Sequence, residues 1–250
     1  MSNQVIKQKI LKKGYWRVLI RPSISSYKKD RFKLAELKEK IQECEVRLRG
    51  WYYPHFKGED ISAVSMDSFG GSCDWEAFVE YWEFSTSGQF AHIFSILEDQ
   101  RLEKDPTIAQ DIRKTQYFGK DKVEKIEKFI DAISIIYQVT EIFQFAANMA
   151  QLEENADVRD FDVDIELHDV KDRMLYLGDP RRGGFLEPYI CRFDTNEIVL
   201  KNSYKTDDLI GQSDLKACEV ILKIYSAFNW TSAQERMVRE EQKKLLERRF

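Results

Sequence analysis

Residues 15–22, YWRVLIRP, alternate apolar and polar side chains and end on a proline, which predicts a β-strand. Asp30 opens a helical pattern through Cys44, with Leu34, Leu37, Ile41 and Cys44 on one face and charged residues on the other. Strand character returns at Val46–Tyr52 and again at 60–69, DISAVSMDSF, where Gly70–Gly71 reads as a turn needing glycine's positive φ. Asp74 caps a predicted helix, WEAFVEYWEF, with Trp75, Phe78 and Trp82 at helical spacing. After the Ser87–Gly88 turn, Phe90, His92, Phe94 and Ile96 share one face of a further strand. Strand, helix, strand, strand, helix, strand over residues 14–98 is the ferredoxin-like βαββαβ order.

Residues 99–120 are polar and read as a linker. The segment 121–154 is the longest helical pattern in the chain. Its apolar positions spread beyond one stripe from Phe129 onward, so it should pack between two layers. Next, 161–168, FDVDIELH, alternates strictly, and 173–177, 188–194 and 197–203 read as short strands of a β-meander. GDPRRGG (178–184) and DTN (194–196) supply the turns. A helix from Asp214 and a charged helix over 232–250 close the chain. The last has a sparse apolar stripe (Met237, Val238, Leu245, Leu246, Phe250) and should project from the surface or dock on a partner. The expected fold is therefore α+β. A ferredoxin-like half occupies 1–105; the long helix, the meander and two helices occupy 106–250, as a second unit or as one continuous domain with it.

Composition narrows the class. The chain has 250 residues, 43% hydrophobic and 13% aromatic, which suits a folded domain with a substantial core. The most apolar window, 129–147, holds Asp131, Gln138 and Glu141, a load that disfavours a membrane span. The start shows no signal-peptide pattern, and Cys44, Cys73, Cys191 and Cys218 form no paired motif, so free thiols in the cytoplasm are expected. Net charge is −4, but it comes in blocks: +10 over 1–58, −10 over 59–112, +3 over 113–130, −9 over 131–180 and +2 over 181–250. These either neutralise one another on folding or leave a basic face for an anionic partner.

Few patterns carry chemistry. His55, His92 and His168 are dispersed among the cysteines without metal-ligand spacing, so neither a metal from these residues nor any cofactor is expected. Asp160, Asp162, Asp164 and Glu166 share one strand face. Asp162, Asp164 and Glu166 can hold a divalent cation; the alternative is an exposed or charge-protected strand. Cys73, read as standing at a helix start, becomes a nucleophile only if His55 or His92 reaches it. No catalytic residue is assigned: GxSxG is absent and SFGGS lacks the lysine of a phosphate loop. Nucleic-acid contact would use Lys12, Lys13, Arg17, Arg21, Lys28, Lys29, Arg47, Arg49, Arg181 and Arg182, with Tyr15, Trp16 and Tyr27 available to stack. In RLRGWYYPHF (47–56), Trp51 and Phe56 should bury, His55 should pack or hydrogen-bond locally, and Arg47 and Arg49 should face outward.

At RLRGWYYPHF, EYWEFSTSGQF (80–90) and SAFNW…EEQKKLLERRF, the chain resembles uncharacterised bacterial proteins of similar length, some associated with mobile or defence loci. The resemblance implies a prokaryotic cytoplasmic protein acting with partners, with antiviral defence as one setting, and brings no catalytic residues. The resulting expectation is a non-catalytic binding or regulatory protein working through a protein partner or its own copy. A sequence-tolerant nucleic-acid binder is the alternative and an unrecognised hydrolase the third.

Overall fold

A computed structural model describes residues 3–55, 61–75, 78–114 and 123–249. Its centre is a seven-stranded antiparallel sheet in the order β2-β3-β4-β5-β1-β7-β9. The strands are β1 (Tyr15–Pro22), β2 (Ser62–Ser65), β3 (Ser68–Trp75), β4 (Phe78–Ser85), β5 (Phe90–Ser95), β7 (Asp160–His168) and β9 (Glu197–Lys205). β1 lies between β5 and β7, so strands from both halves of the chain share one hydrogen-bonded sheet. A parallel pair, β6 (Phe129–Asp131) and β8 (Met174–Tyr176), stands apart from it.

The inner face of the sheet is apolar because the alternation holds in each strand. Trp16, Val18 and Ile20 of β1, Phe90 and Phe94 of β5, and Phe161, Val163, Ile165 and Leu167 of β7 are all buried. Helix α5 (Ala132–Ala150) lies on this face, started by Asp131, whose carboxylate accepts from the Ile133 and Ser134 amides. Helices α6 (Thr206–Gly211), α7 (Ser213–Ala227) and α8 (Glu235–Leu246) cover its other side. Tyr225 in α7 donates to the Ala132 carbonyl at 2.8 Å, and Gln242 in α8 donates to Thr140 at 3.1 Å. Packing between two layers is why α5 is apolar around most of its circumference. On the outer face, Ile6 and Ile10 of α1 (Asn3–Leu11) pack on Val79 and Tyr81 of β4.

The α+β class holds, but the ferredoxin-like order does not. The helix expected at WEAFVEYWEF is strand β4. Covered by α1 outside and by Leu37–Glu43 and the 49–55 segment inside, it is buried on both faces, a pattern that mimics a buried helix. Gly70 and Gly71 lie within β3, not in a turn, and a Cβ at Gly71 would stand 2.6 Å from the Trp82 ring, so there glycine makes room for tryptophan. Val46–Tyr52 contributes one bridge, Val46 to Tyr53, instead of a strand. The helix from Asp30 is reduced to a 3₁₀ turn at Leu34–Glu36 and α2 (Leu37–Glu43).

The linker expected at 99–120 contains most of α3 (Leu97–Lys104) and all of α4 (Thr107–Lys114). α3 is anchored by Arg173, fully buried, whose guanidinium grips Asp99 through two bonds of 2.7 and 2.8 Å. The central helix begins at 132, not 121. Residues 188–194 add only a bridge between Met174 and Ile190. The terminal helix does not project. Val238 and Leu245 are fully buried against the chain's own helices. Phe250 lies outside the described residues.

Candidate functional site

A cavity of about 250 Å³ opens beside the inner face of the sheet, where β1, β5, α3, α5 and the 49–55 segment converge. Its walls are aromatic: Trp16 and Phe94 stack with centroids 5.8 Å apart, and Trp51, Trp75 and Phe78 complete the enclosure. Trp51 is 45% exposed and Trp75 38%, against 4% for Trp16 and 0% for Trp82; Trp51 is therefore not the buried core lock expected of it. Polar groups at the lining are Arg49, His55, Glu98, Arg101, Ser134 and Gln138.

RLRGWYYPHF builds one side of this region. Gly50 has φ of +85° with open space around it, so glycine is required there for conformation and not for room. Arg49 turns inward. Its guanidinium binds the fully buried Glu141 carboxylate through two hydrogen bonds, one of 3.0 Å, and donates to Gln138 Oε1 at 3.1 Å. Arg47 stays outside, on Glu45 and over the Tyr52 ring. His55 is held among Trp51, Trp75 and Phe78, with ring centroids 4.7–6.4 Å away. Phe56 lies outside the described residues.

Behind His55 runs a buried polar chain. The His55 amide donates to Glu80 Oε1 at 2.7 Å, His92 Nε2 meets Glu80 Oε2 at 3.0 Å, and His92 Nδ1 meets the Tyr53 hydroxyl at 3.1 Å. Burial pushes the Glu80 carboxyl up, but the two imidazoles beside it outweigh that and hold its pKa at about 2. His55 Nδ1 lies 3.1 Å from Glu80 Oε1, off the line a hydrogen bond needs.

On the opposite side, Glu98 is 3% exposed and accepts from the Asp131 amide at 3.0 Å and the Tyr176 hydroxyl at 3.2 Å. Burial, and then the charge of Asp131, raises its pKa to about 7. Near neutrality it can therefore accept or donate a proton. Gln138, 7% exposed, spends its oxygen on Arg49, while its amide nitrogen is buried without a partner. That is a vacant donor in the cavity lining.

The basic residues named from sequence occupy different elements and are mostly ion-paired within the chain. Arg17 and Arg21 lie across β1 from Glu166 and Asp162 of β7, at 3.2 and 3.4 Å. Lys13 pairs with Glu103 and Lys28 with Asp157. Arg181 pairs with Asp179 and Arg182 with Glu241. Lys12 and Lys29 have no ion pair among the described residues. The acidic strand face is the other half of the same arrangement. Asp162, Asp164 and Glu166 sit between β1 and β9, flanked by Arg17, Arg21, Lys201 and His168. Cross-strand pairing thus neutralises much of both blocks.

Cys73 is in strand β3, not at a helix start, and all four cysteines are buried. Among the described residues no helix is long and apolar enough to cross a membrane. Comparison of the chain with family models, with curated proteins and with solved structures finds no match.

Proposed function

We propose that the protein is a non-catalytic binding module whose ligand is a planar aromatic heterocycle of nucleobase size. The observation that carries this reading is the aromatic-walled cavity with a vacant buried donor, Gln138 Nε2, in its lining. Aromatic walls favour a flat π-system, and a few polar groups at the edge fix its orientation. Gln138 would meet an acceptor on the ligand edge. Glu98, half-ionised near neutrality, would meet a donor or an acceptor. A volume of about 250 Å³ falls just below the ~300–1,000 Å³ of drug-sized sites, which favours a small ligand. Arg49 is committed to Glu141, so it stiffens the wall and is not spare charge for a phosphate.

Two other readings have less support. Val238 and Leu245 of the α8 stripe, which suggested self-association, are covered by the chain itself, and Leu246 is left exposed. The basic block, which suggested nucleic acid, is largely paired. The test is a tryptophan-fluorescence titration with free purine and pyrimidine bases and their nucleosides. Saturable quenching by at least one of them, weakened roughly 5- to 150-fold in Trp51→Ala, supports the reading; stacking on an aromatic contributes about 1–3 kcal/mol. No saturable response from any of them, together with steeply salt-dependent binding of mixed-sequence DNA, would replace it with the phosphate-binding reading.

A further inference from the structure

Cys73 and Glu80 are directly opposite one another in the β3–β4 register, so both side chains leave the sheet on the same face. The 49–55 segment brings His55 to this pair, fixed from both sides of its peptide. Its amide donates to Glu80 at 2.7 Å, and its carbonyl accepts from Trp82 Nε1 at 3.2 Å. One ligand atom from each of His55, Cys73 and Glu80 then lies within 4.8 Å of the other two, and all three residues are buried. A second observation points the same way: His55 Nδ1 is buried and accepts or donates no hydrogen bond, although Glu80 Oε1 is 3.1 Å away.

We propose that His55, Cys73 and Glu80 form a binding site for a zinc ion. An imidazole nitrogen, a thiolate and a carboxylate make a borderline-soft donor set that suits zinc and disfavours magnesium or calcium. Zinc holds such donors about 3.5 Å apart when tetrahedral, a spacing close to the 3.1 Å already between His55 Nδ1 and Glu80 Oε1. Binding converts the Cys73 thiol to thiolate and releases its proton to solvent; no electron transfer is involved. The support a metal site needs from its surroundings is present as well. His92, itself held by Tyr53, contacts the second Glu80 oxygen at 3.0 Å and fixes that carboxylate's orientation. Among the described residues, His55, Cys73 and Glu80 supply three of the four positions of the tetrahedron.

The test uses the full chain, stripped with a chelator and titrated with Co²⁺ as a spectroscopic stand-in for zinc. The expected result is one ion per chain, with visible bands of tetrahedral intensity and a thiolate-to-cobalt absorption in the near ultraviolet, both abolished by one equivalent of Zn²⁺. Cys73→Ser should lose the thiolate band, and His92→Gln should weaken zinc about 10- to 100-fold. In the unsubstituted protein, which removes any dependence on a variant folding, zinc should slow iodoacetamide labelling of Cys73. It should leave Cys44, Cys191 and Cys218 unaffected. No thiolate band, a band that persists in Cys73→Ser, or labelling of Cys73 unchanged by zinc would each overturn the site.

Discussion

Replacing Glu98 by glutamine removes a titration and preserves the shape that carries it. The glutamine oxygen can still accept from the Asp131 amide and the Tyr176 hydroxyl. In the native protein, burial and Asp131 raise the Glu98 pKa from its ordinary 4.5 to about 7. Between those values the folded state binds a proton that the unfolded state has released, so stability falls as pH rises across the interval. The span is about 2.5 pH units at ~1.4 kcal/mol each, or about 3.5 kcal/mol, present below pH ~4.5 and lost by pH ~7. Glu98→Gln lacks this loss. Relative to the variant, wild type should therefore lose about 2–3 kcal/mol on going from pH 5 to pH 8. For a chain of 250 residues that difference is about 4–12 °C in Tm. Thermal denaturation of both proteins across this range measures it, and titrating groups uncoupled from Glu98 cancel in the difference. Parallel Tm–pH curves would refute the assignment of a raised pKa to Glu98.

Arg49→Met leaves the fully buried Glu141 without its partner and should cost about 3–5 kcal/mol in urea denaturation. Arg49→Met with Glu141→Met should recover most of that, and a single variant within 1 kcal/mol of wild type would show the pair to be slack. Gly71→Ala places a methyl 2.6 Å from the Trp82 ring and should cost roughly 1–3 kcal/mol by the same assay; an unchanged midpoint would mean the strand shifts freely there.

The strands with one covered face were legible because their alternation is uninterrupted: β1, β5, β7 and β9 stand where the pattern predicts them. β4 was not, because α1 covers one face, α2 and the 49–55 segment cover the other, and a strand buried twice carries no period-two signal. The charge blocks were visible, and their cross-strand neutralisation was one of two outcomes the sequence allowed. The cavity is harder to see in advance. Arg49, Trp51, Tyr53 and His55 alternate along RLRGWYYPHF, which was the available signal, and all four turn toward the cavity or the polar chain behind it. Their partners Glu80, Glu98 and Gln138 come from β4, α3 and α5, and only tertiary packing brings them together. Cys73 and His55 are likewise far from any metal-ligand spacing in sequence, and meet because β3 pairs with β4 and the 49–55 segment is fixed to β4.

The indole N–H resonances of the five tryptophans give the most direct test of a ligand-binding cavity. Trp16, Trp51 and Trp75 line it, whereas Trp230 packs against Phe185, Tyr189 and Tyr225. Titration with the best-binding heterocycle should shift the first three signals saturably and leave Trp230 in place. Unmoved cavity tryptophans at saturating ligand, or a Trp230 shift as large as theirs, would contradict the account.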